Sequence, residues 1–234
     1  MFTQLLINSL IAGAIYSLVA VGFSLIYSVC RFVHFAHGSV IAFSGYFLYL
    51  FYQQFKLDFW LSVILALICG SILGWLMDFL VYKRLRQRKA SNVILLIASV
   101  ALLIIFESLI LIIWGADVKN IGFIKISKGI EIFKAIITPL QIVIILVSII
   151  LLIIFSIFMK KSKLGKAMRA VSDNKDVAEI LGISTERIFA YSFLIGSFIA
   201  GVAGILIGLE QNLEPTMGTN LMIKGFTSAI IGGV

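Results

Sequence analysis

Charge is what this chain has least of. Only 13% of its 234 residues are Asp, Glu, Lys or Arg, and 61% are apolar. Soluble domains carry about 25% charged and about 45–50% apolar residues. That balance excludes an ordinary water-soluble fold. Cysteine is nearly absent: Cys30 and Cys69 are the only two, and both lie in apolar runs. They read as small buried hydrophobes, which excludes a disulfide framework and a cysteine metal site. A nucleotide cradle is missing as well. Gly165-Lys166 sits in no Gly-x4-Gly-Lys-Ser/Thr frame and follows no strand, so the chain has no ATPase site of its own. No convergent polar constellation of the kind a membrane enzyme needs is visible, and the metal and cofactor expectations are none.

What is present is a succession of long apolar runs separated by basic loops. About 20 apolar residues are needed to cross the hydrocarbon core as a helix. The runs are continuous rather than alternating, which favours helices over a barrel. The expected fold is all-α: a polytopic transmembrane helix bundle of six complete spans and a partial seventh. The spans fall at 5–29, 36–55, 59–82, 92–114, 139–159 and 188–209, with a last start near Ile223. The first run has no basic residues before it and is too long for a cleaved signal, so it counts as a membrane helix.

The net charge of +8 could suggest nucleic acid. The basic residues instead cluster at the ends of apolar runs, and no basic stripe with interleaved aromatics accompanies them. They report topology. The segments 31–35, 83–89 and 160–187 hold one, five and seven Lys/Arg, thirteen of the 19. Placing these on the cytoplasmic side puts the N-terminus outside. The outer loops are then 56–58, 115–138 and 210–222. In the longest, Ile124–Ser127 and Ile130–Ile132 alternate apolar and polar around Lys128-Gly129, a short β-hairpin pattern. It reads as a cap over the bundle or a docking surface for an external partner.

Small residues recur at helix-packing spacing. Gly70 and Gly74 are four apart, as are Gly204 and Gly208, and Ser197 and Gly201 extend the second face. They predict close helix contacts within the bundle. Glu107 lies deep in the fourth span, where a carboxylate usually faces the bundle interior or a wet cavity. It is either a pathway residue or a structural hydrogen-bonding group. Asp78, one turn from the basic loop, is expected to pair with it. His34 and His37 are three apart with no third ligand nearby, which favours hydrogen bonding over a metal.

The segment 160–187 is the least apolar part of the chain. Asp173 is placed to cap a short helix through Val177, Ala178 and Leu181, and Gly182 to end it. Val177, Ala178, Ile180 and Leu181 are too many apolar residues for a loop that only reverses direction. A short helix with an exposed apolar face is a docking element.

Here a resemblance becomes specific. Permease subunits of ABC importers carry a cytoplasmic Glu-Ala-Ala-x3-Gly motif that forms a coupling helix. This chain has Asp176-Val177-Ala178-x3-Gly182, with a shortened acid and Val for the first Ala. The wider run Leu164-Gly165-x3-Arg169-Ala170-x10-Leu181-Gly182-Ile183-x3-Arg187 closely resembles the same loop in the branched-chain amino acid permease family, the LivH-like subunits. Phe35-Ala36-His37-Gly38 is similar to that family's Asn-Phe-Ala-His-Gly-Glu block, with His34 in place of the Asn and Ser39 in place of the Glu. Gly13-x2-Tyr16-x-Leu18-x-Ala20-x-Gly22 resembles its first helix.

The resemblance implies a single permease domain over 1–234, incomplete at its C-terminus because relatives continue with further helices. It implies a multi-pass protein of the bacterial cytoplasmic (inner) membrane, surrounded by membrane lipid. It assigns ATPase coupling to Asp173, Asp176, Val177, Ala178, Glu179, Leu181 and Gly182. It places Phe35, Ala36, His37 and Gly38 near the pathway; Glu107 is a further candidate by its depth in the fourth span, not by the resemblance. The implied partners are a homologous (LivM-like) permease subunit, separate ATP-binding subunits and an extracytoplasmic substrate-binding protein, with no nucleic acid. The implied function is inward transport of leucine, isoleucine and valine. Alternatives are a permease for urea, an amide or a sugar, or an ion-coupled secondary transporter.

Overall fold

The computed structural model describes residues 2–123, 130–132 and 135–233. Helices dominate: α1 (Phe2–Cys30), α2 (His37–Tyr49), α3 (Phe59–Met77), α4 (Lys83–Gln87), α5 (Asn92–Trp114), α6 (Pro139–Lys161), α7 (Lys163–Asp173), α8 (Lys175–Ile180), α9 (Thr185–Glu210) and α10 (Met217–Ile231). Two π-helical turns interrupt them. Leu50–Gln54 extends α2, and Asp78–Tyr82 joins α3 to α4 in one continuous rod.

Five described helices are long and apolar enough to cross a membrane: α1, the α3–α4 rod, α5, α6 and α9. Permeation of the bilayer by several such helices makes this a multi-pass membrane protein. Of the expected six complete spans five qualify; the second, α2 with its π-helical extension over 37–54, is instead largely enclosed by the other helices. Its chain does not start at the end of the bundle. After α1 ends at Cys30, residues 32–36 run back inward, with Phe32, His34 and Ala36 fully or almost fully buried. The α2 helix therefore begins inside the protein and buries 11 of its 13 residues. It packs on α9, α3, α10 and α5.

Helix α9 is the axis of the fold. It buries 16 of its 26 residues against α1, α2 and α3. The small residues make this possible. A Cβ on Gly204 would strike the backbone of Ile41 in α2, and one on Gly74 would strike the Ser197 side chain of α9. Gly70 and Gly201 both approach Ser44. By contrast α5 and α6 turn most of their surface outward, with Ile97, Ile104, Ile112, Ile149 and Ile153 exposed. Such faces suit lipid.

The last helix starts at Met217, six residues before the expected start, so the loop before it shrinks to 211–216. Pairing of α10 with α2 depends on Gly38 and Gly218, each of which leaves no room for a Cβ on the other.

The strand pairing differs from the one expected. Ile130–Ile132 (β1) pairs antiparallel with Ala135–Ile137 (β2), while Ile124–Ser127 lies outside the described residues. Gln4 of α1 grips β2: its Oε1 accepts from the Ile136 amide at 2.8 Å and its Nε2 donates to the Ile136 carbonyl at 3.1 Å. At the same end Lys119 and Leu213 exchange backbone hydrogen bonds, and Gln141 donates to Glu210 at 2.7 Å. Trp114 is buried against Phe43 and Tyr46.

Candidate functional site

The opposite end of the bundle gathers the basic residues, and the segment after α6 is built there by successive caps. Helix α6 ends at Lys161. Ser162 then caps α7, its Oγ accepting from the Gly165 amide at 2.8 Å. Gly165 has no Cβ to strike the Met159 carbonyl, so the chain can fold back tightly. Helix α7 was not anticipated, although Leu164, Met168 and Val171 recur at helical spacing after a Ser cap, a readable signal. Met168 and Val171 are buried under α1, α6 and α9.

The helix expected to start on Asp173 starts one residue later. Asp173 is the last residue of α7, and the cap of α8 is Asn174, whose Oδ1 accepts from the Val177 amide at 3.1 Å. The other boundary is as read. Gly182 takes φ +82°, its amide donates to the Glu179 carbonyl at 2.9 Å, and the Ile183 amide donates to the Ala178 carbonyl at 3.0 Å. That pair of bonds is a Schellman closure, which needs a residue able to adopt the left-handed region. The result is a helix of a turn and a half with two unlike faces. Ala178 is buried, whereas Val177, Ile180 and Leu181 are 50%, 84% and 73% exposed. Asp173 and Asp176 face solvent. Glu179 points back instead, accepting from the Thr185 hydroxyl at 2.5 Å at the start of α9.

The root of α9 is braced by a cluster that the sequence did not reveal. Arg86 of α4 donates to Asp78 at 2.7 Å and to Glu186 at 2.9 Å, and its guanidinium lies 4.7 Å from the Phe189 ring centre. The expected pairing of Asp78 with the basic loop is thus present. Its second carboxylate comes from 100 residues away, a contact no local pattern signals. The π turn Asp78–Tyr82 turns both Asp78 and Tyr82 inward, and π turns often mark functional positions. Arg31 closes the far side, donating to the Ser172 carbonyl at 2.6 Å.

The four-residue motif at 35–38 lies at the buried entry to α2. Ala36 donates its amide to the Ser99 hydroxyl at 3.0 Å. Phe35 packs on Phe226. His37 is buried against Gly22, and His34 Nδ1 lies 2.9 Å from the Tyr82 hydroxyl. Gly38 also lines a small cleft with Ser39, Glu107, Gly218 and Thr219. There the Thr219 hydroxyl donates to Glu107 at 3.0 Å. The structure therefore brings Gly38 and Glu107 together. The α8 residues contribute nothing to that cleft.

Comparison with known proteins gives this arrangement a context. The family model described as "Branched-chain amino acid transport system / permease component" matches residues 5–234. The chain is 29% identical to the high-affinity branched-chain amino acid transport system permease protein LivH of Salmonella typhimurium, over 100% of this chain and 79% of that protein. It is 27% identical to BraD of Pseudomonas aeruginosa, over 100% of this chain and 80% of that one. A probable branched-chain amino acid transport permease protein LivH of Methanocaldococcus jannaschii is 29% identical over 99% and 74%. No solved structure matches. A match that starts at residue 5 and runs to the last residue, over a bundle of apolar helices, places the chain in the branched-chain amino acid transport permease family.

Proposed function

We propose that this chain is a permease subunit of an ABC importer that moves branched-chain amino acids inward across the cytoplasmic membrane, powered by separate ATP-binding subunits. The substrate class comes from the printed names of the similar proteins. The observation that carries the mechanism is α8. A short helix with three exposed apolar side chains, at the basic end of a membrane bundle, needs a protein partner from the cytosol. The residues Asp173, Asp176, Val177, Ala178, Glu179, Leu181 and Gly182 belong to that coupling element, with Val177, Ile180 and Leu181 as its contact face. The N-terminus lies outside, and a homologous permease subunit and an extracytoplasmic binding protein complete the importer.

The route for force follows from the braces. A pull on α8 reaches α9 through Glu179–Thr185. It passes from the root of α9 to the α3–α4 rod through Glu186–Arg86–Asp78. Because α9 is the axis, tilting it moves α1, α2 and α3 together, a rigid-body switch between outward-open and inward-open states. Phe35, Ala36, His37 and Gly38 lie at the start of α2, on the moving side of this linkage, and Glu107 of α5 lines the cleft beside Gly38.

The test is co-purification. Ile180→Asp combined with Leu181→Asp places two charges on the contact face without touching the bundle. Membrane insertion should persist while the ATP-binding subunits no longer co-purify. Retention of those subunits at wild-type levels would refute α8 as the coupling element.

A further inference from the structure

We propose that the cavity between α1 and the start of α10 holds the zwitterionic head of a free α-amino acid during its passage, a reading that rests on the transport function above. The cavity has a volume of about 530 Å³, within the range of roughly 300–1,000 Å³ usual for small-molecule sites. It lies beside the 211–216 turn. Its lining combines the apolar Ile207, Met217 and Leu221 with the polar Glu214, Asn220 and Lys224.

The charges are what make this a site rather than a gap. Lys224 lies seven residues into α10, about 10 Å along the helix from Met217. Its ammonium donates to the Tyr16 hydroxyl at 3.1 Å and sits 5.2 Å from that ring's centre, and among the described residues it has no carboxylate partner. Ionisable groups on membrane helices mark aqueous pathways, because lipid cannot solvate them. Asn220 is four residues earlier on the same face. Thr227 and Ser228 continue that face, but their hydroxyls bond back to the carbonyls of Ile223 and Lys224 and ask for no ligand. Glu214 supplies the opposite charge. Among the described residues its carboxylate makes no hydrogen bond and no ion pair, and it does not pair with Lys224.

An unpaired cation, an unpaired anion and apolar side chains in one cavity match one chemistry: a carboxylate on Lys224 and Asn220, an ammonium on Glu214, and an aliphatic side chain against Met217 and Leu221. A sugar or a nucleoside offers no such pair of charges. Tyr16 enters as a positioning residue that holds the Lys224 ammonium, which gives a task to the first-helix motif in which it stands.

The experiment uses the complete importer in proteoliposomes, with Cys30 and Cys69 replaced by Ser and Gln211→Cys as reporter at the cavity rim. Labelling by a methanethiosulfonate reagent is timed with leucine, with 3-methylbutylamine and with 4-methylpentanoate. Leucine should slow labelling at least fivefold, and neither half-molecule should do so. Lys224→Met and Glu214→Gln should each abolish the protection, while the importer still assembles with its ATP-binding subunits. Equal labelling rates with and without leucine, in an importer that takes up leucine, would overturn the site alone. Protection by both half-molecules equal to that by leucine would also overturn it. An importer that takes up no branched-chain amino acid would overturn the transport reading, and the site with it.

Discussion

Arg86 is the side chain on which most depends. It is only 10% exposed and holds Asp78, itself 2% exposed, together with Glu186. Removing one member of such a cluster leaves a charge buried without compensation, which costs about 3–5 kcal/mol. Arg86→Ala should therefore lower the thermal unfolding midpoint in detergent by many degrees. Arg86→Lys should recover only part of it, because an ammonium cannot present two parallel donors to Glu186 while also reaching Asp78. A midpoint unchanged in Arg86→Ala would show that the cluster contributes nothing to the fold. The pairing of Asp78 with the basic loop was legible from one-turn spacing. Glu186 was not, since the partners are 100 positions apart and meet only when α9 docks on α3. The cap of α8 shows the same limit on a smaller scale. Asp173 and Asn174 are both good caps, and the choice between them is made by α7, which runs on through Asp173 and leaves Asn174 in extended conformation.

At the scale of elements, the axis is a helix pair with no tolerance. Gly204 brings α9 against the backbone of Ile41, so any side chain there must push α2 away. Gly204→Ala should destabilise the bundle by about 1–3 kcal/mol, the usual range for overpacking. The loss should be visible as a fall in monodisperse protein on size-exclusion chromatography. An identical elution profile and yield would mean that α2 can shift freely. The spacing of Gly70, Gly74, Gly204 and Gly208 announced close packing, and the structure pairs these faces within the chain. Hydropathy also located α1, α3, α5, α6 and α9 to within a few residues. It located α2 with its π extension as closely, at 37–54 against 36–55, but an apolar run reports burial and cannot say whether the surroundings are lipid or protein. It failed for α7: an amphipathic helix lying on the end of a bundle is hydrophilic on average and reads as loop.

The whole molecule has two chemically distinct ends. Arg31, Arg86 and Lys175 gather around α7 and α8 at one. Gln4, Gln53, Asn120 and Glu210 tie the loops together at the other. The first end is the one proposed above to face the cytosol, on the count of its Lys and Arg residues. Impermeant maleimide on intact cells should label Asp117→Cys and spare Ile180→Cys, and lysis should expose the second. The reverse pattern would invert the topology and remove α8 from any ATPase. The two-ended arrangement was the most legible property of the chain, since Lys and Arg positions set it directly. The cavity around Lys224 was the least, because its walls come from α1, the end of α9 and the start of α10.

The sheathing of α2 carries a consequence for how this protein can change. With 11 of its 13 residues buried in protein, α2 is released from the demand for oiliness that governs α5 and α6. It can hold His37, serines and glycines inside the bundle, provided each fits its slot. Volume decides what α2 accepts, whereas α5 and α6 accept almost any bulk so long as it is greasy. Variation along this one polypeptide is therefore filtered by two different solvents, one made of hydrocarbon and one made of the protein itself.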